Sequence, residues 1–139
     1  MEKTENTGAG PGPAISASVF ERIVRYVADY LKQQGFSAVQ SSCEGFTQPA
    51  RIRWDEEDEG IMPHIVAEHS GAVYVFEVET RTSIERRAVE DRWRLLSVHA
   101  TRHNGKFYLV TPEATAMYLD GLVKALGVRA EFLKLSGVE

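Results

Sequence analysis

Three polar residues, His64, Glu77 and Glu79, fall where two predicted strands end, and together they could hold a divalent cation. Carboxylate oxygens bind hard ions such as Mg²⁺, and an imidazole adds affinity for Mn²⁺ or Zn²⁺. A cation held there could polarise a phosphoryl oxygen and activate a water molecule for attack. Polar strand ends that simply face solvent are also common, so the residue types alone leave both interpretations open.

The proximity of these side chains depends on the turn between two predicted strands, 61–68 and 73–79. Both segments are rich in Val, Ile, Tyr and Phe, and the intervening Ser70-Gly71 favours a tight two-residue turn. With that turn, His64 pairs with Glu77, and the second glutamate follows two residues later on the same face. We therefore expect the three polar groups at the solvent-exposed rim of one sheet face, while apolar residues make the opposite face a core.

The rest of the sequence alternates between helical and extended patterns. Helices are predicted at about 18–34, 83–103 and 112–127, and strands at 37–43, 61–68, 73–79, 106–111 and 130–135, the last of them an edge strand. Residues 51–54 are predicted to be either a further short strand or an extension. Apart from the short 51–54 segment, the order α-β-β-β-α-β-α-β predicts an α/β fold, a single domain with a mixed central sheet and helices on both faces. Residues 1–17 are rich in Gly and Pro, which predicts a disordered N-terminal tail before a folded domain at 18–139.

The composition excludes several classes of protein. A chain of 139 residues with 43% hydrophobic residues suits one folded domain. Its one cysteine, Cys43, can form neither an internal disulfide nor a CxxC site. No apolar run approaches the roughly 20 residues that span a bilayer, and the first residues carry no apolar signal segment. We expect a cytoplasmic protein with no membrane partner.

The two strands of the hairpin resemble the core of the PD-(D/E)XK nuclease superfamily, which has the restriction-endonuclease-like fold. The signature of that family is Pro-Asp on one strand and Glu-x-Lys on the next, and here Pro63-His64 and Glu77-Val78-Glu79 stand at those places. The α-β-β-β-α-β order of the family core also matches the predicted order over residues 18 to 111. The resemblance implies a restriction-endonuclease-like core and divalent-metal-dependent hydrolysis of nucleic-acid phosphodiesters.

The resemblance also implies roles for individual residues, with Mg²⁺ or Mn²⁺ as the cofactor. Glu77 would hold the metal, His64 would be a substitute ligand in place of Asp, and Glu79, in place of Lys, would be a second ligand or a base that orients water. Glu21 on the first helix would be an additional acidic ligand, although it also fits a capping box with Ser18. The joint loss of Asp and Lys favours an alternative, a non-catalytic module that binds nucleic acid or protein on the same fold.

Charge is distributed unevenly along the chain. Residues 44–79 carry nine acids and two Arg, whereas residues 81–106 carry seven bases and three acids. The resemblance places the helix after the second motif strand near the acidic site, and it therefore implies that Arg81, Arg86 and Arg87 contact nucleic-acid phosphates. A solvated amphipathic helix would produce the same pattern. The edge strand at 130–135 leaves room for a homodimer as a further alternative.

Overall fold

A computed structural model of the protein describes residues 17–79 and 86–136. The helices are α1 (Ala17–Gln33), α2 (Arg86–Arg102) and α3 (Glu113–Leu126), and the strands are β1 (Ser37–Ser41), β2 (Ile65–His69), β3 (Ala72–Val78), β4 (Phe107–Pro112) and β5 (Glu131–Leu135). The predicted tail lies outside the described residues except for Ala17, at which α1 begins. Arg81 also lies outside them.

The five strands form one mixed sheet in the order β1-β2-β3-β4-β5. The pairs β1–β2 and β2–β3 are antiparallel, whereas β3–β4 and β4–β5 are parallel. This arrangement confirms the predicted α/β class, the mixed sheet and the edge position of the last strand. No helix among the described residues is both long enough and apolar enough to cross a bilayer.

The turn between β2 and β3 has the predicted two-residue form. Ser70 and Gly71 both have positive φ, 52° and 81°, which a twisted hairpin of this length requires. The resulting register pairs His69 with Ala72 and Ile65 with Phe76. The predicted register is therefore confirmed, and its extension beyond the ladder brings residue 64 beside residue 77.

Helices cover both faces of the sheet, as predicted. α1 packs its apolar stripe against one face, and α2 and α3 pack against the other. The first layer contains Ile23, Val24, Val27, Leu31, Ile65, Phe76, Val78 and Val110, and the second contains Val75, Trp93, Leu96, Leu109, Leu119 and Val123. Each fully buried apolar side chain of this size stabilises the fold by about 1.5–3 kcal/mol.

Three local predictions are wrong. Residues 51–54 form no strand and contribute one isolated bridge, between Ile52 and Ile61. The strand predicted from residue 61 begins only at Ile65. Pro112 does not open α3 as its first helical residue, because it still pairs with Leu135 in the sheet and keeps an extended ψ of 145° as the residue before the helix.

The connection from α2 to β4 lies directly on the backbone of β3. Gly105 N–H donates to Ala100 O at 2.8 Å, and Val73 N–H donates to His103 O at 3.1 Å. A Cβ placed on Gly105 would come within 1.6 Å of Val73 O, so only glycine fits this approach. This contact fixes the C-terminal end of α2 against the sheet.

Candidate functional site

The candidate site lies at the C-terminal end of β3, beneath α2. Glu77 is 0% exposed and Glu79 is 5% exposed, so the predicted position at a solvent-exposed rim is wrong for both carboxylates. They are buried because α2 covers the sheet face toward which they project. A carboxylate at such depth is costly unless it is paired and hydrogen-bonded, so its partners define what the site can do.

The hairpin brings His64 and Glu77 together, as the register predicts. The backbone N–H of His64 donates to Glu77 Oε2 at 2.8 Å. The Nδ1 atom of the His64 ring lies 3.7 Å from the same oxygen. His64 immediately precedes Ile65, the first residue of β2, and its backbone amide approaches Glu77 more closely than its imidazole does.

The positive charge beside Glu77 is the guanidinium of Arg92. Arg92 Nε donates to Glu77 Oε1 at 2.5 Å, and Arg92 Nη2 donates to Met62 O at 2.9 Å. Burial raises the pKa of Glu77, while the Arg92 hydrogen bond and charge and the His64 N–H oppose that rise. Each carboxylate oxygen accepts a hydrogen bond, which is the pattern of an ionised, paired carboxylate.

The imidazole of His64 has a structural role. Its Nδ1 accepts the backbone N–H of Val78 at 2.9 Å, so the proton of the neutral ring is assigned to Nε2. The ring also meets the edge of Phe20, with centroids 4.9 Å apart. Burial and the charge of Arg92, opposed by Glu79, lower the pKa of His64 to about 4. His64 is therefore neutral at pH 7, and its Nδ1 lone pair is engaged.

The second carboxylate lies among polar groups that the sequence did not single out. Trp93 Nε1 donates to Glu79 Oε2 at 3.1 Å. Thr111, the neighbouring position on β4, is 0% exposed, and its hydroxyl has no hydrogen-bond partner among the described residues. The end of β3 and β4 is thus a small polar region enclosed by a helix.

As they are arranged, Glu77 and the Nδ1 atom of His64 do not fit Mg²⁺ or Mn²⁺. Both oxygens of Glu77 and the Nδ1 atom of His64 already accept hydrogen bonds, so a metal would have to displace Arg92 and break a backbone contact. Glu21 is exposed on α1, which packs on the other sheet face, and its carboxylate joins no described site residue. Over residues 17–79 and 86–136, no three His, Cys, Asp or Glu side chains form a metal-binding group.

The predicted phosphate contacts remain predictions. Arg86 and Arg87 lie in the first turn of α2, but their side chains, like the whole of Arg81, fall outside the described part of the structure. Sequence reasoning assigned neither Arg92, Trp93 nor Thr111 to this site, although Arg92 is one of the seven bases counted at 81–106. The signal for Arg92 was its place beside Trp93 at the border of the buried stripe of α2, because a base at such a border can reach inward.

No protein-family model and no curated protein matches this chain.

Proposed function

We propose that this chain is a non-hydrolytic nucleic-acid-binding domain built on the restriction-endonuclease-like fold. The observation that carries the proposal is the bond of Arg92 to Glu77, the residue that the resemblance makes the metal ligand. A guanidinium supplies positive charge and fixed donors, but it does not activate a water molecule as a divalent ion does. The ion pair therefore favours binding without hydrolysis.

The order of the elements supports the fold assigned in this proposal. From α1 to β4 the chain runs α-β-β-β-α-β, which is the order the resemblance predicts for the family core. The Pro63-His64 and Glu77-Val78-Glu79 motifs also meet at adjacent ends of one hairpin. Both features concern the backbone arrangement. Both would therefore persist in a family member in which an arginine side chain pairs with the acidic residue that otherwise binds the metal.

A nucleic acid is the ligand that the charge distribution favours. Arg102, Lys106 and Arg129 are exposed, and none has a carboxylate within ion-pair distance among the described residues. The acids that make the net charge −4 include the run at 55–59, where Asp55 and Asp58 accept hydrogen bonds from backbone amides of their own loop. A local basic surface can therefore coexist with an acidic chain.

Binding and cleavage can be tested on the same preparation. Fluorescently labelled single-stranded and duplex DNA would be titrated with protein at 50 mM salt, with and without EDTA, and plasmid would be incubated with Mg²⁺ or Mn²⁺. We expect binding that ignores EDTA and no nicking by the wild type. Glu77→Gln should retain the binding, and Glu57→Gln, in the exposed acidic loop, is the matched control.

Two results would overturn the proposal in different ways. Nicking with Mn²⁺ that Glu77→Gln abolishes and Glu57→Gln preserves would establish the metal-dependent hydrolase that the resemblance implies. If the protein binds neither single-stranded nor duplex DNA at 50 mM salt, nucleic acid is excluded as the ligand. Circular dichroism of each variant shows whether the fold is retained, since Glu77 is fully buried.

A further inference from the structure

The geometry points to a phosphate-binding groove at the end of the sheet opposite Glu77, between α2 and the start of β5. This inference rests on the proposed function and names the surface that would contact the nucleic-acid backbone. A cavity of about 300 Å³ opens there, lined in part by Ser97, Thr101, Arg102 and Arg129. A second cavity of about 130 Å³ shares Thr101 and Arg129 with the first and adds Lys106, so the two form one groove.

The groove concentrates positive charge that the protein does not neutralise. Arg102, Lys106 and Arg129 are exposed, and no described carboxylate lies within ion-pair distance of them. Among the described lining residues, Glu131 is the one acid. Thr101, shared by both cavities, adds an exposed hydroxyl. Three cations and a hydroxyl along a cleft are the donors that phosphate oxygens accept.

The backbone of the groove is held in place before any ligand arrives. Arg94 Nη2 donates to Glu90 Oε2 at 2.8 Å and to Leu126 O at 3.0 Å, which ties the C-terminal end of α3 to α2. Ser97 Oγ donates to Arg129 O at 2.7 Å. The Arg129 backbone is therefore fixed while its side chain stays exposed. A preorganised wall reduces the entropy lost on binding.

The position of the cations favours a polymer over a single phosphate. A base in the last turn of a helix, such as Arg102, is also stabilised by the helix dipole. That effect does not explain Lys106 and Arg129, which follow the ends of α2 and α3 and line the same groove. Cations distributed along two adjoining cavities match successive phosphates of a nucleic-acid strand better than one compact anion.

The test compares two variants with the same change of net charge. The groove variant carries Arg102→Gln, Lys106→Gln and Arg129→Gln, and the control carries Arg22→Gln, Arg25→Gln and Lys134→Gln, all exposed and outside the two cavities. Each is titrated with labelled single-stranded and duplex DNA from 50 to 200 mM salt. We expect the groove variant to lose affinity at least tenfold at 50 mM salt. The slope of log K against log salt for duplex DNA should fall by about 2 to 3, and the control should stay within about threefold of wild type.

The outcomes separate the groove from the proposed function. If the wild type binds DNA and both variants bind equally well, the groove is overturned while the proposed function stands. If the wild type binds neither single-stranded DNA, duplex DNA nor inorganic phosphate, both are overturned. Titration with inorganic phosphate is the remaining arm, and saturable binding of phosphate without DNA binding would assign the groove to a small anion instead of a nucleic acid.

Discussion

Removing Arg92 should cost more stability than removing its partner Glu77. The Glu77 side chain is 0% exposed, whereas that of Arg92 is 28% exposed. Arg92→Met leaves a buried carboxylate without a counter-charge, for which about 3–5 kcal/mol is typical. Glu77→Gln keeps an oxygen for the His64 N–H and leaves a guanidinium that can turn toward water, so we expect about 1–2 kcal/mol. Urea unfolding followed by circular dichroism measures both values.

The double variant Glu77→Gln/Arg92→Met isolates the interaction itself. Because it removes both charges, its cost should fall below the sum of the single variants by about 2 kcal/mol or more. In a domain of this size the Arg92→Met loss corresponds to a decrease in Tm of roughly 10–15 °C. The exposed Asp120–Lys124 pair, with side chains 47% and 75% exposed, is the control and should couple by about 0.5 kcal/mol or less.

The pH dependence of Arg92→Met supplies an independent check. A buried carboxylate with a raised pKa favours the folded state while it is protonated and loses that stability as the pH rises through the folded pKa. The deficit of Arg92→Met relative to wild type should therefore be larger at pH 8 than at pH 5. The reasoning is refuted if both single variants cost less than about 1 kcal/mol, or if Glu77→Gln is the more damaging change.

Three further predictions follow from other parts of the structure. Because the pKa of His64 is lowered to about 4 in the folded protein, the unfolded chain binds more protons than the folded one between pH 6.5 and 4. When the pH falls from 7 to 5, the unfolding free energy of the wild type should therefore decrease by about 2 kcal/mol more than that of His64→Asn. Equal slopes of unfolding free energy against pH, measured by urea unfolding, would contradict this. Gly105→Ala, which meets a backbone oxygen, should lower the unfolding free energy by more than about 2 kcal/mol, whereas Gly121→Ala, which meets nothing within 4 Å on α3, should raise it by roughly 0.5–1 kcal/mol. A homodimer through the β5 edge predicts concentration-dependent sedimentation, and a strict monomer at all concentrations would exclude it.

The sheet and its register could be predicted because their signals are local. Ser70-Gly71 can adopt positive φ at both positions, and that alone fixes which residues of β2 and β3 face each other. The apolar periodicity of α1 likewise identifies the face that it buries. Such features are decided by neighbours a few residues apart, so one sequence contains enough information to place them.

The environment of Glu77 could not be predicted because it is set by a distant helix. The alternation of side chains along β3 shows that Glu77 faces away from Phe76, but it does not reveal that α2 covers that face. The contact with Arg92 spans 15 residues of sequence and depends on the rotation of α2 about its axis. Pro112 was misassigned for a similar reason, since pairing with β5 keeps it in the sheet.

The two-residue turn at Ser70-Gly71 makes the number of residues between the turn and Glu77 as important as either charged residue. Surface loops usually tolerate an added residue. Here one extra residue placed in β3 between the turn and Glu77 would shift the rest of the strand by one position. Glu77 would then face the apolar side chains of α1, and Phe76 would face Arg92. An exposed reverse turn thereby dictates, from several residues away, whether a charge in the interior meets its counterion.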